Sequence, residues 1–282
     1  MSIYYNYEEA SIGYDQARIA DGADFMCALF SGLLKKDLSQ ISVLDAGCGT
    51  GNYGLAFLKN GLNQLTMIDA SKGMIECAKK KCANYEGKVE FRLSVLPVID
   101  FPSAQFDVVT FTQVLHHLDS PTVSRSFHDH PRCTEAISQA YRVLKPGGLL
   151  LIDAMFDENF NSIWWGPFCP IAFNNMKALR LNKSNTIALL KKCGFSDFAH
   201  ISRPGACLAD PSVYFKIENV SDPKWRAHFS QYKLIESSGE LNFLIDLVEK
   251  HILEGTLEVF RSKVFENFYL CGDHSMFVCK KY

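Results

Sequence analysis

The sequence predicts an α/β fold, a mostly parallel sheet of seven strands flanked by helices, with a helical insertion before the last strand. Three observations predict it. Short apolar runs alternate with amphipathic stretches at the interval of strand–helix–strand units, and the first apolar run ends in an acid followed by three alternately spaced glycines. A final apolar run follows a long stretch of helical periodicity, as if the chain returned to its sheet after a detour.

The elements can be taken in order. Residues 19–34 place Met26, Leu29, Leu33 and Leu34 mostly on one side and read as a helix that Lys35, Lys36 and Asp37 end. The first strand is 41–44, the second is 64–68 closing on Asp69, and Ser71 can cap a helix over 72–82. Strands at 89–93 and 106–111 follow. A helix over 134–144 runs into Lys145-Pro146-Gly147-Gly148, which reads as a stop signal before a strand at 149–152 that closes on Asp153. A short helix over 186–193 ends at Gly194, a strand covers 198–201, and the last strand is 275–279. Between 207 and 269, Trp225, Phe229 and Tyr232, then Leu241, Leu244, Val248 and Ile252, then Phe260, Val264 and Phe268 recur at helical spacing.

Two stretches break the rhythm. Residues 118–134 are polar and contain Pro121 and Pro131, and residues 155–175 read as an irregular aromatic loop with Trp164, Trp165, Pro167 and Pro170. Both follow the carboxyl ends of strands, where open α/β sheets place their sites. The expected organisation is an N-terminal flap and helix (1–40), a ligand-binding core (41–203 and 270–282), and a mainly helical insertion serving as a substrate lid (204–269).

Composition narrows the function classes. The chain has 282 residues, 48% hydrophobic and 12% aromatic, enough for a substantial core. Its net charge is −2 and its longest basic run is Lys79-Lys80-Lys81, which argues against nucleic acid as partner. No apolar run approaches the roughly 20 residues of a membrane span. The ten cysteines are scattered without a CxxC, and no basic-then-apolar leader opens the sequence, so reduced thiols and a cytoplasmic setting are expected. His116, His117, His128, His130 and Cys133 match no compact zinc spacing, and no metal is expected. Whether the protein is a monomer or a homodimer is left open.

The chemistry centres on Val43-Leu44-Asp45-Ala46-Gly47-Cys48-Gly49-Thr50-Gly51. Glycines at 47, 49 and 51 let the backbone approach a bulky ligand, and amides opening the next helix can face a polar group. The spacing is not the G-x-G-x-x-G of dinucleotide folds, and no Lys-Ser or Lys-Thr follows to make a P-loop. Together with Met67-Ile68-Asp69-Ala70-Ser71 and Met74, Phe106-Asp107-Val108-Val109, and Leu144-Lys145-Pro146-Gly147-Gly148-Leu149-Leu150, this loop resembles the class I S-adenosylmethionine-dependent methyltransferases. Within them it is most similar to the small-molecule group of ubiquinone, menaquinone and sterol methyltransferase-like enzymes. The resemblance runs from about residue 12 to 153 and implies a Rossmann-like fold.

It also implies a site for S-adenosyl-L-methionine, with S-adenosyl-L-homocysteine as product. Asp45 and the amides around Gly47, Cys48, Gly49 and Gly51 would hold the methionine end, and Asp69 with Ala70 would hold the ribose. Met74 would pack on adenine, and backbone at Thr112 and Gln113 would border the cofactor. Tyr14 and Arg18 match an N-terminal Tyr-Asp-x-x-Arg element that lies over the cofactor in some relatives. After the third strand relatives commonly carry an acid, whereas this chain has Ser94 and Val95, so the adenine contact departs from the pattern.

The acceptor is expected to be small, aromatic or amine-containing, and methylated at N, O or C. Tyr4, Tyr5, Tyr7, Trp164, Trp165 and Phe168 could form an aromatic cage at the mouth of the site, and His116 and His117 lie beside it. His117 is the candidate general base, against a structural reading of the same ring. Three alternatives stay open: a protein methyltransferase, a metalloid enzyme with thiol-bound arsenic at Cys48, Cys133, Cys169 and Cys207, and a scaffold that binds cofactor without turnover.

Overall fold

The computed structural model describes residues 17–119 and 130–282; the expectations for Tyr4, Tyr5, Tyr7, Tyr14 and His128 lie outside them. Its centre is one seven-stranded sheet in the order β3-β2-β1-β4-β5-β7-β6. The strands are β1 (Ser42–Ala46), β2 (Gln64–Asp69), β3 (Val89–Leu93), β4 (Phe106–Thr112), β5 (Leu144–Ala154), β6 (Asp197–Ile201) and β7 (Ser275–Lys280). The first five are parallel, and β7 runs antiparallel between β5 and β6. The Rossmann-like α/β fold is therefore present, and the last strand does return to the sheet.

Strand burial explains the apolar runs. β4 is buried at every position, as a central parallel strand covered on both faces must be. One core layer packs Leu44, Ile68, Val109 and Ile152 under the helix α4 (Pro131–Val143) and α6 (Lys183–Lys192). The opposite layer packs Val43, Met67, Val108 and Leu151 against α1 (Ala23–Leu34), α2 (Asn52–Lys59) and α3 (Lys72–Lys81). Ser71 caps α3, its Oγ accepting the Met74 amide at 3.1 Å.

Two expectations are corrected. Lys145-Pro146-Gly147-Gly148 is not a gap between helix and strand but a bulge inside β5: Leu144 pairs with Phe106, and pairing resumes at Leu149 with Val108. Gly147 sits at φ +78° with its amide on the Lys281 carbonyl at 2.7 Å. The 155–175 stretch is not an irregular loop throughout. It contains a 3-10 turn, Asp157–Ser162, and then α5 (Pro170–Ala178), which Pro170 opens because a proline at the first helical position forfeits no hydrogen bond.

The insertion holds six short helices: α7 (Pro211–Tyr214), α8 (Pro223–Ala227), α9 (Gln231–Ser237), α10 (Leu241–Leu253), α11 (Leu257–Val264) and α12 (Glu266–Cys271). They share a third core with the 155–176 segment, built on Trp164, Trp165, Trp225, Tyr232 and Phe268. The physical unit that forms this core is thus larger than residues 204–269. Two bonds tie it back to the N-terminal side, Ile19 N–H to the Leu208 carbonyl at 3.1 Å and Asp210 N–H to the Ala17 carbonyl at 2.7 Å.

Candidate functional site

The strand order reverses at β1 and β4, so connections leave their carboxyl ends in opposite directions and open a crevice between them. A cavity of about 290 Å³ fills it, walled by the loops after β1, β2, β3 and β4, by Arg18 and Ile19, and by the inner side of α9. Of the residues expected to hold a cofactor, Arg18, Gly47, Cys48, Gly49, Asp69, Ala70, Met74, Ser94, Val95, Thr112 and Gln113 all border it. His116 and His117 border it too. Asp45 and Gly51 lie behind the wall.

The glycine loop does not work as the sequence suggests. The amides of Gly47 and Cys48 both donate to the Ile68 carbonyl at 2.8 and 3.0 Å, and Gly51 donates to the Cys48 carbonyl at 3.0 Å. Gly49 donates to Asp69 Oδ2 at 2.9 Å. The amides of Gly47, Cys48 and Gly49 hold the loop on β2, and that of Gly51 closes the loop on itself. The glycines are required for shape: all three have positive φ, and a Cβ on Gly47 would stand 2.4 Å from Val114 Cγ2. At Gly49 nothing lies within 4 Å of that position, leaving a cradle on the cavity side that a side chain would fill.

Asp69 braces two loops at once, with Oδ2 on the Gly49 amide and Oδ1 on the Ser71 amide, both at 2.9 Å. A carboxylate offers about four lone-pair positions, so these bonds do not exhaust its acceptor capacity. Asp45 is fully buried; Thr110 donates its hydroxyl to Oδ1 at 3.0 Å, while Oδ2 has no hydrogen-bond partner among the described residues. Burial, with the nearby Asp69 charge and against the Thr110 bond, lifts the Asp45 carboxyl to about 7. A cation arriving above this loop would favour its ionised form. The open space at Gly49 thus fits a charged, methyl-donating cofactor, on which Asp45, behind the wall, would act through its charge alone.

Beyond β3, Ser94 donates its amide to the Asp69 carbonyl at 2.9 Å and its hydroxyl to the Val98 carbonyl at 3.1 Å. Its hydroxyl proton is thus committed to the loop, while Val95 is exposed beside it. Met74 is 1% exposed and borders the cavity from α3.

After β4, Gln113 takes a left-handed backbone, φ +53°, and His116 and His117 lie with ring centroids 3.8 Å apart. Burial, then the neighbouring Arg180 charge, pushes the His117 ring down to about 3, and His116 is lowered by burial, by His117 and by Arg180. Both rings are neutral at physiological pH, and a ring that weakly basic makes a poor general base.

Of the residues offered for an aromatic cage, Tyr4, Tyr5 and Tyr7 lie outside the described residues, and Trp164, Trp165 and Phe168 do not border the cavity. Trp164 and Trp165 are 1% and 0% exposed and sit in the insertion core, where Trp164 lies 6.4 Å from Phe265 and Trp165 6.1 Å from Phe173 by ring centroid. Phe168 packs on Phe260 at 5.7 Å. The cause is α5, which turns this stretch toward the insertion helices instead of the sheet. The walls that sequence reading missed are Leu179, Arg180 and Leu208 with Ser230, Gln231, Lys233, Leu234 and Ser237. For α9 a signal existed: with Tyr232 and Ile235 turned into the core, the positions between them must face elsewhere.

Residues 44–152 match the family model described as a methyltransferase domain. That match runs from within β1 through most of β5 and covers less than half of the chain. Among individual proteins, it is similar to a demethylmenaquinone methyltransferase of Leptospira interrogans, 35% identical over 117 residues, 40% of this chain and 42% of that one. An uncharacterized methyltransferase of Bacillus subtilis is 33% identical over 109 residues, 39% of this chain and 41% of that one. The matches thus span about two fifths of the length of these curated relatives. Among solved structures, a protein of Anabaena variabilis with a proposed methyltransferase role in antibiotic biosynthesis aligns with a TM-score of 0.64 at 16% identity, covering 94% of this chain and 99% of that one. A phosphoethanolamine N-methyltransferase of Haemonchus contortus aligns with a TM-score of 0.56 at 17% identity, covering 97% and 57%. At these identities the structures speak for the fold.

Proposed function

We propose that the protein transfers a methyl group from S-adenosylmethionine to a small-molecule acceptor in the cavity between β1 and β4. One observation carries the reading: Asp69, at the carboxyl end of β2, holds Gly49 of the loop after β1 on the cavity wall, beside the reversal of strand order. In this reading Asp69 accepts from the ribose hydroxyls and Met74 packs beside the adenine. The loop from Gly47 to Gly49 receives the methionine end, with Asp45 behind it supplying negative charge. The bound cofactor supplies an electrophilic methyl on a sulfonium. The chain's contribution is then to orient an acceptor in line with that methyl and to keep water away. Arg180, Lys233, Gln231 and Ser237 give the acceptor side a polar wall.

Support for an aromatic acceptor is weaker than the sequence suggested, because both tryptophans are in the insertion core. Of the four cysteines weighed for metalloid chemistry, Cys48 borders the cavity, whereas Cys133, Cys169 and Cys207 are buried in cores. That arrangement disfavours a thiol-bound substrate.

Calorimetry with S-adenosylmethionine, S-adenosylhomocysteine and NAD tests the reading. Binding of the first two without NAD is expected, and tight NAD binding without sulfonium binding would overturn it. A screen of metabolite extracts for cofactor-dependent mass gain then addresses the acceptor, and a protein that binds cofactor and methylates nothing would favour the scaffold.

A further inference from the structure

Behind the cavity lies a buried polar cluster that binding of a cofactor does not require directly. His274, at the entrance of β7, is fully buried. Its Nδ1 lies 2.6 Å from Asp273 Oδ1, and its Nε2 lies 2.7 Å from a guanidinium nitrogen of Arg203 and 3.6 Å from Asp153 Oδ2. A guanidinium only donates, so Nε2 accepts from it and the ring proton on Nδ1 is directed at Asp273. Arg203 also binds Asp21 Oδ2 at 2.6 Å, which anchors the start of α1.

Three carboxylates lie beside this ring, Asp273, Asp153 and, at 3.4 Å from Nε2, Asp21, and the first two each hold a piece of the cavity wall. Asp273 accepts the Leu208 amide on both oxygens, at 3.2 and 3.1 Å. Asp153 accepts from Gln113 twice: the side-chain amide at Oδ1, 2.7 Å, and the backbone amide at the main-chain carbonyl, 2.8 Å. Gln113 needs that hold, because its φ of +53° is a conformation residues other than glycine rarely keep without support. Leu208 and Gln113 border the same cavity from different segments, the insertion and the loop after β4.

We propose that His274 is a positioning residue for the cavity, setting Leu208 through Asp273. Its Nε2, occupied by the Arg203 proton, makes no hydrogen bond to Asp153, so the hold acts on the Leu208 wall. Leu208 in turn holds Ile19, whose amide donates to its carbonyl at 3.1 Å, so the strap carrying Arg18 follows the same anchor. The significance for cofactor binding rests on the function proposed above; the coupling itself does not.

Amide hydrogen exchange of the full chain tests the coupling without any ligand. In His274→Asn the Leu208 amide should exchange at least tenfold faster, while the Gln113 amide and amides at the centre of β1 and β4 keep their protection. Unchanged exchange at Leu208, or a uniform loss throughout the sheet, would overturn the proposal. If His274→Asn does not fold, Asp273→Asn carries the same test, and unchanged exchange of the Leu208 amide there would overturn it. S-adenosylmethionine titration then gives the functional arm. His274→Asn should bind at least tenfold more weakly than wild type, and an affinity within twofold would remove the link to the site. Wild type that binds no S-adenosylmethionine would refute the function and leave the exchange result standing.

Discussion

At the scale of single residues, Gly47, Gly49 and Asp69 answer different questions. Gly49 faces open space, so Gly49→Ala should cost only about 1–2 kcal/mol for its left-handed backbone while its methyl enters the cradle and weakens S-adenosylmethionine binding. Gly47→Ala adds a collision with Val114 and should destabilise the fold by an extra ~1–3 kcal/mol, read by urea denaturation. A larger stability loss at 49 than at 47 would contradict the assignment of the cradle. Asp69→Ala removes a charged acceptor from the proposed ribose position, and cofactor affinity should fall by on the order of 2–4 kcal/mol in calorimetry.

Asp45 gives a pH prediction of definite sign. Its carboxyl is raised to about 7 in the fold, whereas an unfolded aspartate titrates near 3.9. Between those values the folded protein binds more protons than the unfolded one, so the ligand-free protein should lose stability as pH rises from about 4 to about 7. Asp153, raised to about 6 by burial, acts in the same direction over the lower part of that window. Asp45→Asn should flatten the slope in chemical denaturation series; an unchanged slope would show that Asp45 is not the group responsible.

At the scale of elements, Asp107 explains why two motifs far apart in sequence occur together. Its carboxylate receives Lys145 at 2.8 Å and Lys36 at 2.6 Å, together with the Ser42 hydroxyl at 2.7 Å and amide at 3.0 Å. One buried charge thus joins the end of α1, the start of β1, β4 and the bulge of β5. Burial alone would raise this carboxyl, but the bonds from Lys145, Lys36 and Ser42 outweigh it and hold it well below the usual range. A depressed value contributes stability above the unfolded value near 3.9 and loses it as pH falls below that. Asp107→Asn should therefore cost about 1.5–3 kcal/mol at pH 7, by the loss of charge-assisted bonds, and the gap to wild type should close in acid. A gap that persists undiminished below pH 3 would contradict this.

At the scale of the whole molecule, the sheet supplies a rigid floor and the insertion supplies the opposite wall. α9 and the 206–210 segment contribute Leu208, Lys233 and Leu234 to that wall. Binding across two such parts should stabilise both by mass action. At S-adenosylmethionine one hundred times its dissociation constant, global stability should rise by about 2.7 kcal/mol, visible as a higher melting temperature. No such shift at saturation would oppose cofactor binding to the native state. No helix among the described residues is long and apolar enough to cross a membrane.

The local pattern of the chain was sufficient for the sheet, the glycine loop and Asp69. Strand period, capping residues and glycines at turns are properties of neighbours in sequence, and the expected strand at 89–93 coincides with β3. Composition and periodicity could not say where Trp164 and Trp165 would point, because any apolar core accepts an indole and only the course of α5 selects one. Nor could they show that the loop amides are consumed by Ile68 and Asp69, since a backbone donor has no sequence signature for its partner. His274 had no local mark among eight histidines. Its partners Asp153 and Arg203 lie 121 and 71 positions away, and only the closure of β7 between β5 and β6 brings them together. What the sequence determined by itself was the class of sheet and the loops that border the cavity at its carboxyl edge. Tertiary structure decided which groups face that cavity, because facing is set by contacts between segments that no local pattern records.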